Sequence, residues 1–153
     1  MKKQLMIASD HGGWELKEQI KQHYPEFDWL DLGPIQKEST VDYPDFADLL
    51  CSKVSDPTFD PQGVLICGSG QGMSIRANKF PQIRAALVWN EESTRLSREH
   101  NNANILCLGG RLLPLKTALD CVKVFFETPF AGGRHTARVE KIHKPIKGKT
   151  DDC

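Results

Sequence analysis

Gly63-Val-Leu-Ile-Cys-Gly-Ser-Gly-Gln-Gly-Met-Ser74 is the stretch on which the fold turns. An apolar run of strand length, Gly63 to Ile66, gives way to Cys67 and then to Gly68, Gly70 and Gly72, and a helix is predicted to begin near Gln71. Glycine lets the backbone turn sharply, and the unpaired N–H groups of a first helical turn point back at the loop. Strand, tight turn and helix together are the repeating unit of a parallel α/β sheet. The same loop offers a thiol at the sheet rim as nucleophile or base beside an anion cradle; a small apolar cysteine closing a core strand is the plainer alternative.

The pattern repeats outward in both directions. Short apolar runs at Gln4 to Ala8, Asp28 to Asp31, Arg84 to Val88 and Ile105 to Leu108 alternate with amphipathic stretches. This predicts an α/β fold, a three-layer Rossmann-like sandwich around a five-stranded parallel sheet. Helix Glu15 to Tyr24 aligns Leu16, Ile20 and Tyr24, and helix Tyr43 to Ser55, with Pro44 in its first turn, aligns Phe46, Leu49, Leu50 and Val54. A third face carries Leu115, Ala118, Leu119, Val122 and Phe126 between Pro114 and Pro129. The last helix, Arg134 to Lys144, follows Gly132-Gly133 and places Arg134 and Arg138 on one face, so a partner subunit is a candidate surface for it.

At 153 residues the chain is about one domain long, able to bury roughly 70% of its unfolded surface without disulfides. A single domain over 1–144 with a frayed tail over 145–153 is expected. Lys and Arg total 20, matched by 20 Asp and Glu, which argues against nucleic acid or an acidic membrane as partner and for a small, locally recognised ligand. The 5 cysteines form no C-x-x-C pair, the 5 histidines no H-E-x-x-H, and no apolar run suggests a signal or membrane segment. A reducing cytoplasm and the absence of any metal are the expectations.

The glycine turn also weighs against several chemistries. A cysteine-dependent phosphatase needs arginine where Met73 stands, a Walker loop needs a Gly-Lys pair missing here, and Gly68, Gly70 and Gly72 do not match a dinucleotide fingerprint. In open parallel sheets ligands bind beyond the carboxyl ends of strands. Four loops are expected to converge there: Ser9 to Gly13, Cys67 to Gly70, His100 to Asn102, and Gly109 to Arg111. Each residue alone has a structural alternative. Asp10 suits a helix N-cap, His11 a loop hydrogen bond, His100 a helix C-terminus, and Arg134 with Arg138 a solvated face.

Taken together, Ala8-Ser-Asp-His-Gly-Gly13, Asp42-Tyr-Pro-Asp45, Ile66-Cys-Gly-Ser-Gly-Gln-Gly-Met-Ser74, Ala77-Asn-Lys79, Ile83-Arg-Ala85, Leu96-Ser-Arg-Glu-His-Asn101 and Gly132-Gly-Arg-His-Thr-Ala-Arg138 resemble the type B ribose 5-phosphate isomerases. That family includes galactose 6-phosphate and allose 6-phosphate isomerases. The resemblance implies cofactor-free aldose–ketose isomerisation of a sugar phosphate, most simply ribose 5-phosphate to ribulose 5-phosphate, by ring opening and proton transfer through a cis-enediolate. It implies Cys67 as base, with Ser69, in place of the commoner Thr, assisting. Backbone N–H groups from Ser69 to Ser74, among Gly68, Gly70 and Gly72, would hold the enediolate oxygens. Asp10 and His100 are implied in ring opening, Asn101 and Tyr43 in sugar contact, and His11, Arg134 and Arg138 in phosphate binding, with Arg111 a further contact. Homodimers or tetramers sharing each site between subunits are implied too, with the His100 to Asn101 loop the candidate to cross over. Six-carbon substrates, a noncatalytic sugar-phosphate or nucleotide sensor, and a thiol phosphatase or redox enzyme stay open as alternatives.

Overall fold

The parallel sheet is present, in the order β2-β1-β3-β5-β4. The structure, a computed structural model, describes residues 4–37, 39–54 and 61–148. Its strands are β1 (Gln4–Ser9), β2 (Asp28–Asp31), β3 (Gly63–Cys67), β4 (Ala85–Leu87) and β5 (Ile105–Gly109). The helices are α1 (Trp14–His23), α2 (Tyr43–Cys51), α3 (Gln71–Ala77), α4 (Glu91–Asn101), α5 (Leu115–Glu127) and α6 (Arg134–Ile142).

Strand alternation divides the core in two. Ile7, Val64, Ile66, Leu106 and Leu108 face α1 and α5, whereas Met6, Ala8, Leu65, Ile105 and Cys107 face α2 and α3. Both sides of the central strands are thus dry, and each fully buried Leu or Ile contributes about 1.5–3 kcal/mol. The chain leaves β1 for β2 on one flank and returns to β3 on the other, so a crevice opens between the carboxyl ends of β1 and β3.

Several element details depart from sequence expectation. On α5 the fully buried residues are Ala118, Cys121, Val122 and Phe125, while Leu115 is 42% exposed. The core face is therefore rotated by one stripe, because Phe126 instead packs edge-on against Phe27 and Trp29 beside α1. Helix α2 ends early: Lys53 and Val54 N–H donate to Leu50 and Cys51 carbonyls, the tighter spacing that finishes a helix lacking a C-terminal glycine. Val54 stays buried on the expected face, and Ser55 lies outside the described residues, as do residues 149–153 of the expected tail. Helix α6 packs on α4 and buries Val139, leaving Ile142 more than half exposed.

Two buried cations anchor the layers. Lys17, wholly buried, donates to Asp31 Oδ1 and Oδ2 at 2.8 and 2.7 Å and to the Pro34 carbonyl at 2.7 Å, tying α1 to β2 and the loop after it. Arg98 donates to the carbonyls of Thr128 and Ala103 at 3.0 and 2.6 Å, over the ring of Phe125.

Candidate active site

Three loops close the crevice floor through their backbones. The Asp10 N–H donates to the Ile66 carbonyl at 3.1 Å, Gly110 to Cys67 at 2.8 Å, and Arg111 to Gly68 at 3.0 Å. A Cβ on Gly110 would lie 2.9 Å from the Gly12 carbonyl oxygen, so the loops after β1 and β5 touch main chain to main chain.

Cys67 ends β3 within this floor, 4% exposed, and its Sγ accepts the Gly70 N–H at 3.1 Å. Asp10, 6% exposed, accepts the Gly13 N–H on Oδ1 at 3.0 Å just ahead of α1. Asp10 is not the N-cap of α1, a position held by Gly13; its carboxylate closes the turn ahead of the helix and still lines the crevice. The Ser69 hydroxyl accepts the Gln71 N–H at 3.4 Å at the start of α3. Tyr43 opens α2 and lays its ring against Gly72. Asp10, Tyr43, Cys67, Gly68, Ser69, Gly72 and Arg111, with Leu112, line one cavity of about 510 Å³. Ser74 sits one turn into α3, its N–H bonded to the Gly70 carbonyl.

Arg111 also lines an adjoining cavity of about 490 Å³ with His11, Glu15, Lys37 and Ser39. His11 Nδ1 lies 3.2 Å from both the N and O of Val41. Lys37 pairs with Glu15 at 2.6 Å at the rim. Sequence reading missed Leu112 and Lys37, whose side chains carry no motif and reach the cavities only through loop placement. The other core thiols are chemically quiet: burial pushes Cys51 up to about 12 and holds Cys107 and Cys121 above the ordinary thiol range.

The expectation of four converging loops is corrected: three converge, and the His100 to Asn102 segment does not join them. Helix α4 runs back along the sheet, so its C-terminus feeds the start of β5, where the Asn104 carbonyl accepts from Gln62 and its N–H donates to Arg84. Cys67 pairs with Gly109 at the other end of the same strand pair. At about 3.3 Å per residue, β5 separates the two edges by on the order of 15 Å.

At that amino edge stand His100, half-buried in the last turn of α4, and exposed Asn101, with Arg134 and Arg138 exposed on α6. The His135 ring stacks on His100 with centroids 4.2 Å apart, an arrangement the sequence motif contained without revealing. One chain therefore carries the suspected residues as two groups on opposite sheet edges. Among the described residues no three His, Cys, Asp or Glu side chains group as a metal site, and no helix is long and apolar enough to cross a membrane.

Residues 5–142 match the family described as Ribose/Galactose Isomerase. The chain is 42% identical over 140 residues to a probable ribose-5-phosphate isomerase B of Mycoplasma genitalium, covering 90% of this chain and 92% of that one. Its fold is similar to that of ribose 5-phosphate isomerase B from Anaplasma phagocytophilum, with a TM-score of 0.85 and 43% identity over 92% of this chain and 97% of that one. The Mycoplasma genitalium enzyme solved with bound ribulose-5-phosphate superposes with a TM-score of 0.86 and 42% identity, over 92% of this chain and 93% of its own.

Proposed function

The chain belongs to the ribose/galactose isomerase family, and from that premise we propose that it interconverts ribose 5-phosphate and ribulose 5-phosphate with Cys67 as the proton-transfer base. The observation that carries this reading is the crevice: a thiol, a carboxylate, a phenol and a guanidinium share one cavity at the carboxyl edge of a parallel sheet. A relative with similar fold binds ribulose-5-phosphate, the product in this direction.

In the proposed reaction the sugar ring opens first, exposing the C1 aldehyde. The Cys67 thiolate then removes the C2 proton, and the electron pair moves to give a cis-enediolate. The proton returns to C1, a proton passes from O2 to O1, and the ketose forms. The Gly70 N–H on Sγ suits the sulfur anion, and the developing enediolate charge is assigned to the N–H groups between Ser69 and Ser74 other than those of Gln71 and Ser74, which bond within the turn. Ser69, which lines the same cavity, assists, and Tyr43 contacts the sugar.

Ring opening is assigned to Asp10 and His100, and phosphate binding to His11, Arg111, Arg134 and Arg138, whose guanidinium forks match phosphate oxygens. His100, Asn101, Arg134 and Arg138 lie at the edge of the sheet away from Cys67. Each working site is therefore formed by two chains, one bringing Asp10, Cys67 and Arg111, the other bringing His100, Asn101 and the two arginines. The proposal treats 1–144 as one catalytic domain.

Cys67→Ala tests the reading. Exchange of the C2 proton of ribose 5-phosphate with solvent should fall by about 10²–10⁴-fold, the range for a general base, while sugar-phosphate binding stays measurable by calorimetry. Undiminished exchange in Cys67→Ala would sink it. Specificity constants for ribose, allose and galactose phosphates on the wild-type protein assign the chain length.

A further inference from the structure

We infer that His135 is a positioning residue for His100, holding that imidazole in the orientation and charge state that ring opening requires. The inference rests on the assignment of His100 made above. The rings stack with centroids 4.2 Å apart and planes 15° from parallel. The stack is built in from both sides of His135. Before it, the Ala131 N–H donates to the carbonyl of Glu99, the residue next to His100, at 3.1 Å. The chain then turns through Gly132 and Gly133, both at positive φ, and the His135 N–H closes on the Gly132 carbonyl at 3.0 Å. After it, Val139 stands one helical turn on, buried, on the same face of α6 where that helix packs on α4. Arg134 and Arg138 are left exposed beside that face.

A histidine that opens a sugar ring must keep one ring nitrogen aimed at the anomeric or ring oxygen, yet rotation about its second side-chain torsion is soft. A face-on neighbour removes the edge-on orientations. It also affects the proton. An imidazolium is favoured over the face of a neutral aromatic ring and disfavoured beside a second cation. His135 faces His100 and Glu99 on α4 and Arg134 and Arg138 on its own helix. Its partial burial, with the His100 ring and both guanidinium groups, holds its pKa below the ordinary imidazole range against the weaker pull of Glu99. His135 thus favours its neutral form and does not set a second cation against the His100 ring. No proton passes through His135, and it touches no reacting atom.

The chemistry of the two sugars provides a test. Ribose 5-phosphate closes a furanose ring through its C4 hydroxyl, whereas ribulose 5-phosphate, with O5 phosphorylated, has no hydroxyl placed to close such a ring on C2. Exchange of a C1 proton of ribulose 5-phosphate with solvent therefore reports proton transfer without ring opening. In His135→Ala, kcat from ribose 5-phosphate should fall by about tenfold or more, with the acid limb of its pH profile displaced, because His100 has lost its neutral partner. C1 exchange from ribulose 5-phosphate should stay within about twofold of wild type, since the base is untouched.

His135→Phe, which keeps a flat ring and cannot take up charge, should restore most of the forward rate. The inference is overturned if His135→Ala lowers both reactions equally, as loss of folding or assembly would, if it lowers neither, or if Phe is no better than Ala. Cys67→Ala separates the two layers of argument. If it retains exchange, the isomerase reading itself fails; if it abolishes exchange while His135→Ala opens the ring normally, only the positioning role falls.

Discussion

Gly72 shows how closely the crevice is fitted at the level of single atoms. A Cβ built there would lie 2.5 Å from Tyr43 Cζ, inside any allowed contact, and the tyrosine ring would have to move. Gly72→Ala should therefore raise KM for the sugar phosphate several-fold by displacing Tyr43. Overpacking of this kind costs about 1–3 kcal/mol of stability, read as a lower urea midpoint. A variant with unchanged KM and midpoint would mean that Tyr43 moves aside freely. The glycines, Cys67 and Asp10 were legible in the sequence because sharp turns and strand ends restrict which residues can stand there. Arg98 and Lys17 were not, since a long cation on a helix reads as solvated until its partners are known.

Among the elements, the join between α1 and β2 depends on Lys17. Lys17 is wholly buried, so removing its main carboxylate partner strands its charge, whereas Lys21 keeps Glu18; Asp31→Leu should therefore cost about 3–5 kcal/mol by denaturant unfolding, and pairing it with Lys17→Met should recover much of the loss. A loss under about 1 kcal/mol in the single variant would place the pair in effective contact with water. Burial works to raise the Asp31 pKa, yet hydrogen bonds from Lys17, Lys21 and the Gly33 N–H outweigh it and hold it below the usual carboxylate range. The stabilisation this brings is complete above the unfolded value near ~3.9 and lost as pH falls through the lower folded value. Asp31→Asn should accordingly flatten the acid limb of the stability curve below about pH 4, a slope that unfolding at stepped pH measures. Element types were readable throughout because alternation and helical stripes differ in period. Which of two adjacent stripes on α5 is innermost was not, because Phe125 and Phe126 are equally apolar and only the position of Phe27 and Trp29 separates them.

For the whole molecule, the two-edge arrangement predicts complementation. Cys67→Ala and His100→Asn proteins, each inactive alone, should regain activity when unfolded together and refolded. Random pairing makes half the dimers mixed, each with one intact site of two, so about a quarter of wild-type turnover is expected. Absence of any recovery in mixed dimers identified by sedimentation would place both residues in the same chain's site. The sequence named the residues proposed for this set but not where they lie. In a parallel α/β chain a loop following a strand and a loop preceding one look alike in composition, yet they lie at opposite edges, which is why the His100 segment seemed to join the Cys67 turn.

The close approach of Gly110 to the Gly12 carbonyl bears on how such a site can change over time. Where two loops meet main chain to main chain, that contact offers no side chain to lengthen, shorten or recharge. Adaptation to a longer or shorter sugar is thereby confined to the walls, at Tyr43, Leu112 and Lys37, while the thiol and the amides around it keep their mutual geometry. Selection can vary what the molecule accepts without disturbing the thiol and amides proposed to move the proton.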